Sequence, residues 1–173
     1  MITVRLLTPA DFAKATEIDV TESGSLIHRQ VGEELTEETK AWSRRPWSPE
    51  RYQQLIETWA DILKANGAVL GAFDGDRLVG EAAWRPRLTE TMSQLESLHI
   101  SAACRRQGVA RQLVTEVIRL ARESGATQLY VSGTPTPSAV GFYRRMGFAP
   151  TATPHPALLA LEPEDIHMTM SLV

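Results

Sequence analysis

Basic side chains and a glycine come together at residues 105–111, where a predicted strand gives way to a predicted helix. A helix N-terminus carries unpaired N–H groups and a partial positive charge, and both attract phosphate. Gly108 lets a ligand approach the backbone closely because it has no Cβ. The pattern predicts an anion site, and it equally fits an ordinary turn with surface arginines. The residues concerned are Arg105, Arg106, Gln107, Gly108, Val109, Ala110 and Arg111.

A second segment, further along the chain, favours the anion site over the ordinary turn. A short apolar strand at residues 128–132 leads into residues 134–148, which contain Phe142, Tyr143 and Gly147. Two such segments in a given order are much more specific than either one alone.

Local patterns predict the elements that position these two segments. Apolar residues alternate in strands and recur every three or four residues in helices. Asp74-Gly75-Asp76 is typical of a hairpin turn. The predicted elements are a strand at 2–7, a helix from Thr8 to about Asp19, a helix-prone region at 21–65 with a helix starting at Ser48, strands at 67–73, 77–87 and 93–101, a helix at 108–123, a strand at 127–132, a helix at 138–146 and a strand at 167–172.

This order of elements predicts an α/β fold with a mixed sheet. The three strands between residues 67 and 101 form an antiparallel meander. The helix at 108–123 then connects two strands that are expected to run parallel. A length of 173 residues, with 43% hydrophobic and 23% charged side chains, suits a single globular domain spanning residues 1–173.

Composition also bounds the partners and the compartment. The net charge of -3 gives no indication of a nucleic-acid partner or an anionic membrane surface. We find neither a long apolar run nor the features of a signal peptide, so we expect a cytoplasmic protein without a membrane partner. Cys104 is the only cysteine, which excludes an internal disulfide and a cysteine-rich zinc site. We expect no metal, and we interpret Cys104 as a small apolar filler.

The two segments resemble the motifs of the GNAT superfamily of N-acetyltransferases. Residues 105–110 match its acyl-CoA motif, (Q/R)-x-x-G-x-(G/A), and residues 139–148 resemble its second motif, A-x-x-F-Y-x-x-x-G-F. The resemblance covers residues 67–150. It implies a twisted, mostly antiparallel central sheet with helices on both faces, in which two parallel strands, here 95–101 and 127–132, splay apart.

The resemblance also implies how the chain would bind acetyl-CoA as its co-substrate. The backbone of Leu98, His99 and Ile100 would pair with the pantetheine arm like an additional strand. The N–H groups of residues 106–111 would bind the pyrophosphate, and the Arg105 side chain would add a polar contact.

Acyl transfer to an amine requires that the amine loses a proton and that the CoA thiolate gains one. By resemblance Tyr143 would be the acid; the alternative is an aromatic residue packed on the last helix. Thr136 stands where many family members have asparagine, and it or Ser138 is expected to cap that helix.

The general base is less evident from the sequence. The position at which the type member of the superfamily has a glutamate holds Gln94 here. Glu96 is the only acid on this strand and is our first candidate, and Glu81 on the preceding strand is another. Alternation along the strand places His99 on the face opposite Glu96, where it would relay a proton or be structural. A water chain without any single base is a further alternative.

Residues 20–65 would shape the acceptor site in such an enzyme. Their acids and tryptophans could hold a cationic amine, or form a solvated helix face above a core. The tail at 162–167 would border the site or simply form a turn. We expect a small-molecule primary amine as the acceptor, with a peptide amine or a binding module without turnover as alternatives. A homodimer would fit a small enzyme of this kind. The acids and tryptophans are Glu22, Glu33, Glu34, Glu37, Glu38, Trp42 and Trp47.

Overall fold

A seven-stranded mixed sheet forms the centre of the protein in a computed structural model that describes all residues, 1–173. The strands are β1 (Ile2–Leu6), β2 (Glu22–Val31), β3 (Glu34–Arg44), β4 (Ala68–Asp74), β5 (Arg77–Arg85), β6 (Met92–Ile100), β7 (Gln128–Gly133), β8 (Ala149–Pro150) and β9 (Ile166–Ser171). The helices are α1 (Pro49–Lys64), α2 (Val109–Glu123), α3 (Pro137–Met146) and α4 (Pro156–Leu161), and two 3-10 segments span Pro9–Glu17 and Ala102–Cys104. The sheet order is β1-β4-β5-β6-β7-β9-β8, and β2 and β3 form a separate hairpin.

The antiparallel meander β4-β5-β6 is confirmed. β4 and β5 are joined through a tight turn in which Gly75 has a φ of +59°. β5 lies in the middle of the meander, and its residues 78–84 are all buried. A strand that is covered on both faces needs apolar or small residues at consecutive positions, which explains why this strand does not alternate.

The splayed parallel strands are also present. β6 and β7 pair in parallel only from Met92↔Gln128 to Leu95↔Val131. Beyond Leu95, β6 continues to Ile100 alongside β5, whereas β7 stays paired with β9 as far as Gly133. The sheet therefore opens between the carboxyl ends of β6 and β7, which leaves backbone groups of β6 free to pair with a ligand.

Two apolar cores cover the two faces of the sheet. The larger core includes Leu113, Val117 and Ala121 of α2, each 0% exposed. The smaller core includes Trp59 and Ile62 of α1, also 0% exposed, together with the first 3-10 segment. Helices thus lie on both faces, as predicted, and they hold the two halves of the opened sheet in place.

The expectation of helix in the first part of the region 21–65 is wrong. Residues 22–44 form the β2–β3 hairpin, whose two-residue loop begins at Gly32 with a φ of +61°. Most of β3 is exposed, so its side chains show no buried face that would reveal the strand period. Tertiary contacts hold the hairpin: His28 N donates to Pro135 O at 2.7 Å, and the Gln30 amide donates to Thr151 O at 3.0 Å.

The remaining helices agree with the predicted order, with differences in detail. The first predicted helix is a 3-10 segment, and the sequence patterns do not predict α4 and β8. Ser48 caps α1 by accepting from Arg51 N at 3.3 Å, and Thr136 caps α3 by accepting from Ala139 N at 3.4 Å. None of the helices combines the length and the apolar character needed to cross a membrane.

Candidate active site

A cleft of about 1470 Å³ lies where β6 and β7 separate. It is lined by the carboxyl halves of both strands, by residues 102–111 except Cys104 and Val109, and by one face of α3. Pockets for a single small molecule usually measure about 300–1,000 Å³. The cleft therefore has room for a large ligand and a second, smaller one.

The loop before α2 presents free backbone donors to this cleft. Gly108 is the N-cap of the helix with a φ of +81°, and Arg106 is also left-handed, with a φ of +59°. The first internal hydrogen bond of the helix runs from Gln112 N to Gly108 O, 3.0 Å. The N–H groups of Val109, Ala110 and Arg111 consequently have no helical partner, which is the arrangement that binds phosphate groups.

The side chains of this loop divide into two groups. Arg105 turns inward: its Nε donates to Ile100 O at 3.1 Å and its Nη1 to Thr21 O at 2.8 Å. Arg106 and Arg111 line the cleft without forming a hydrogen bond to the protein. Val109 is 1% exposed, so its side chain packs in the core and does not line the cleft. The charges that remain available to an anion are therefore those of Arg106 and Arg111.

We expect Gly108→Ala to raise the Kd for acetyl-CoA by about 10–100-fold. This is the effect of losing one or two charge-assisted hydrogen bonds to the pyrophosphate. A side chain at this φ is strained, although a Cβ there would meet no protein atom within 4 Å. Gly125→Ala is the matched control, because Gly125 has a φ of +83° and equally open surroundings at the far end of α2. Isothermal titration calorimetry measures both; equal weakening in the two variants would contradict a phosphate site at Gly108.

Tyr143 projects from α3 towards the end of β7. It is 6% exposed, and its ring packs on Phe148 and closely against Gly133. Its hydroxyl forms no hydrogen bond with the protein, and the residue lines the cleft. Burial, and then the negative charges of Glu81 and Asp165, raise the pKa of this hydroxyl. Tyr143 therefore keeps its proton at neutral pH and can donate it.

A buried carboxylate on β5 organises a second set of polar groups. Glu81 is 0% exposed and accepts hydrogen bonds from the Trp59 indole at 3.2 Å and the Ser97 hydroxyl at 3.0 Å. Its other oxygen lies 2.5 Å from Nδ1 of His99, whose ring lies 4.7 Å from that of Trp47. Since the carboxylate accepts, Nδ1 carries a hydrogen, and in the neutral imidazole Nε2 carries the lone pair. His99 lines the cleft, so this nitrogen is the basic group that it offers there.

Glu96 lies at a bulge in β6. The strand's register shifts there, so that Leu95 and Ser97 face consecutive residues of β5 and Glu96 is the extra residue. The placement of Glu96 and His99 on opposite faces assumed unbroken alternation, which the bulge interrupts. Glu96 also lines the cleft, and its carboxylate is bound by Arg85 at 2.7 Å.

The predicted acceptor region contributes fewer acids than its sequence suggests. Among the five glutamates named above only Glu22 lines the cleft, and the tail adds Glu162 and Asp165. Trp47 covers His99, whereas the Trp42 indole donates to Leu26 O at 2.9 Å within the hairpin. The four glutamates that are exposed on the hairpin are Glu33, Glu34, Glu37 and Glu38.

Burial, and then the charge of Glu162, raise the pKa of Asp165 from 3.8 to about 6, against the opposing charge of Arg44. Between these two pH values the folded protein binds more protons than the unfolded chain, so stability falls as pH rises through this window. We expect Asp165→Asn to remove that fall and to raise Tm at pH 8 by roughly 2–4 °C, about 1 kcal/mol after allowing for solvent screening.

Thermal denaturation of Asp165→Asn and wild type between pH 4 and pH 8 measures this effect. The two curves should converge near pH 4 because both side chains are then uncharged. Asp61→Asn, at an exposed aspartate of α1, is the control and should follow wild type. A lower Tm for Asp165→Asn at pH 8 would contradict the raised pKa.

Comparison with known proteins accounts for this combination of fold and cleft. Residues 32–148, more than half of the chain, match the Acetyltransferase (GNAT) family. The chain belongs to this family. The resemblance that rested on residues 105–110 and 139–148 is thereby confirmed, and the opened GNAT sheet described above agrees with it.

Relatives and solved structures extend the comparison of this GNAT chain. N-acetyltransferase 8 of Homo sapiens is 30% identical over 119 residues, 63% of this chain and 52% of that protein. The chain spans about half the length of the curated relatives that it matches. Nourseothricin acetyltransferase is similar over 99% of both chains, with a TM-score of 0.74 and 20% identity. The PaiA N-acetyltransferase from Thermoplasma acidophilum, in complex with coenzyme A, covers 99% of both chains with a TM-score of 0.63 and 15% identity.

Proposed function

We propose that this protein is an N-acetyltransferase that moves the acetyl group of acetyl-CoA to a primary amine of a small molecule. Both substrates would be bound together, and the amine would attack the thioester directly. The observation that carries the proposal is that Ala110 and Arg111, whose N–H groups have no helical partner, and Tyr143, whose hydroxyl is unpaired, line the same cleft.

The residues of the cleft suit the donor. Bound acetyl-CoA supplies an acetyl thioester as the electrophile. The N–H groups of residues 106–111, with the side chains of Arg106 and Arg111, would hold the pyrophosphate. The free edge of β6 at Leu98, His99 and Ile100 would pair with the pantetheine arm, since β7 has separated from it there.

The same cleft offers groups for both proton transfers. His99 Nε2 would accept a proton from the acceptor ammonium, whose pKa in water is about 10.4. Glu81 would stabilise the imidazolium that results, because its buried carboxylate accepts from Nδ1. Tyr143 would donate to the CoA thiolate as it leaves. Glu96 is the alternative base, since it also lines the cleft.

The proposal is tested by measuring CoA release from acetyl-CoA with a panel of primary amines. A reaction without acceptor corrects for the free thiol of Cys104. We expect release to depend on the amine and on its concentration, with the acetylated amine appearing in equal amount by mass spectrometry. A peptide amine that reacts much faster than every small amine would favour a protein substrate. Binding of acetyl-CoA without release for any acceptor would make the protein a binding module and would contradict the proposal.

A further inference from the structure

The carboxyl end of β7 carries a hydroxyl group that the proposed mechanism does not use, that of Ser132. β6 and β7 pair as far as Leu95↔Val131, so Ser132 is the first residue of β7 beyond the point where the two strands part. It is half-buried and lines the cleft. The next residue is Gly133, against which the Tyr143 ring packs. Ser132 and Tyr143 therefore belong to the same wall of the cleft.

A buried histidine lies next to this hydroxyl. His167 on β9 is the cross-strand partner of Ser132, and it is 1% exposed. Its Nε2 lies 2.9 Å from Glu162 O, which can only accept, so Nε2 carries a hydrogen. In the neutral imidazole Nδ1 then carries the lone pair, and the Tyr130 hydroxyl donates to it at 2.6 Å. The ring is thereby held from both sides without a contribution from Ser132.

The Ser132 hydroxyl consequently keeps its hydrogen free. Its oxygen lies 3.3 Å from Nδ1 of His167, but this nitrogen has a single lone pair, and the shorter contact with Tyr130 occupies it. Ser132 has no other hydrogen-bond partner in the protein. Because the residue lines the cleft, its hydrogen is available to a group that is bound there.

Acetyl transfer needs a hydrogen-bond donor in addition to a base and an acid. When the amine attacks, an electron pair of the carbonyl double bond moves to the oxygen, and a donor must stabilise this charge. His99 would bind the amine proton, Tyr143 would protonate the sulfur, and the free edge of β6 would pair with the pantetheine arm. Ser97 of β6 also lies beyond the last β6–β7 pair, but its hydroxyl already donates to Glu81 at 3.0 Å. Ser132 is the uncommitted serine where the two strands separate.

We propose that the Ser132 hydroxyl donates a hydrogen bond to the carbonyl oxygen of the bound acetyl group and is thus a further catalytic residue. This inference rests on the proposed N-acetyltransferase function. The amine nitrogen forms a bond to the carbonyl carbon, and the oxygen gains a charge that the hydroxyl stabilises without losing its own proton. The carbonyl re-forms as the carbon–sulfur bond breaks. The amine proton goes to His99, and Tyr143 supplies a proton to the thiolate.

Ser132→Ala is expected to lower kcat by about 10²–10³-fold, the usual effect of removing one oxyanion donor. The Kd for CoA and the Tm should stay close to their wild-type values, because CoA lacks the thioester carbonyl and His167 keeps both of its hydrogen bonds. Steady-state kinetics, calorimetry and thermal denaturation measure these quantities. Ser171→Ala is the matched control, because Ser171 is exposed and pairs with Gln128 at the end of β9 that lies away from the cleft.

A spectroscopic measurement tests the contact itself without any acceptor. A hydrogen bond lowers the stretching frequency of a carbonyl group. Infrared difference spectra of acetyl-CoA, isotope-labelled at the thioester carbonyl and bound to wild type or to Ser132→Ala, therefore report whether the hydroxyl contacts this oxygen. We expect the carbonyl band at a higher frequency in the variant. A wild-type kcat for Ser132→Ala would overturn the proposal, and so would a band that does not move even though kcat falls.

The same spectra separate this inference from the proposed function. Amine-dependent release of CoA by wild type, together with an unchanged band in Ser132→Ala, would leave the acetyltransferase function intact and reject the role of Ser132. If no amine releases CoA, the proposed function fails. A band shift in that case would still assign the carbonyl contact to Ser132, and the absence of a shift would reject the contact as well.

Discussion

Replacing Tyr143 by phenylalanine is expected to lower kcat by about 10²–10⁴-fold, the usual contribution of a general acid. The substitution removes only a hydroxyl that has no hydrogen-bond partner in the protein. The ring contacts with Gly133 and Phe148 remain. We therefore expect the thermal stability and the Kd for acetyl-CoA to stay at their wild-type values while turnover is lost.

Steady-state kinetics and calorimetry together check this prediction. Tyr52→Phe is the matched control: it also deletes one tyrosine hydroxyl, which donates to Ile18 O at 2.8 Å, and Tyr52 does not line the cleft. Its kcat should remain close to that of wild type. A wild-type rate for Tyr143→Phe would show that the thiolate obtains its proton elsewhere.

The second large effect is expected at Glu81. In the Glu81→Gln variant the side-chain amide oxygen must accept the hydrogen bond from the Trp59 indole, because an indole N–H can only donate. The amide NH₂ group therefore faces His99. His99 Nδ1 then becomes an acceptor and its hydrogen moves to Nε2, which removes the lone pair from the cleft. We predict a loss in kcat/KM of about 10²–10⁴-fold, and a similar loss for His99→Gln.

The Glu96→Gln variant distinguishes between the two candidate bases, His99 and Glu96. It is the same carboxylate-to-amide change at the other candidate base, and Arg85 can still donate to the amide oxygen. We expect it to lower kcat/KM less than about tenfold. A loss at Glu96 as large as that at Glu81 would assign the base to Glu96 and contradict the role of His99.

The parts of the site that depend only on residues close together in the chain can be predicted from the amino-acid sequence. The strand, the Gly108 N-cap and the apolar stripe of α2 lie within a short stretch of chain, and each is set by residues close to it. The same holds for the β4–β5 turn at Gly75. Such features depend on backbone conformation and on helical or strand periodicity, and both can be predicted from a single sequence.

The β2–β3 hairpin is an element that local sequence patterns do not predict. Its strands depend on each other and on contacts from Gln30 to Thr151 and His167, far along the chain. With most of β3 exposed, no alternating apolar face distinguishes it from a polar helix. Gly32 and the following residue, which form the two-residue turn, are the one local signal that indicates a hairpin.

The polar network of the cleft depends on the register of the sheet. Glu81 and His99 are direct cross-strand partners, which a sequence shows only once the β5–β6 alignment and the bulge at Glu96 are known. Asp165 reaches the site because β9 returns to pair with β7. The amino-acid sequence leaves this placement open, because residues 162–167 fit an ordinary acidic turn as well as the border of the site.

The most direct test of the account is a crystal structure of the protein with CoA and a primary amine bound together. We predict that the pyrophosphate accepts hydrogen bonds from the N–H groups of residues 106–111 and that the sulfur lies between β6 and β7 beside the Tyr143 hydroxyl. The amine should face the sulfur. CoA bound outside this cleft, or a sulfur far from Tyr143, would contradict the central claim that acetyl transfer takes place between the splayed strands.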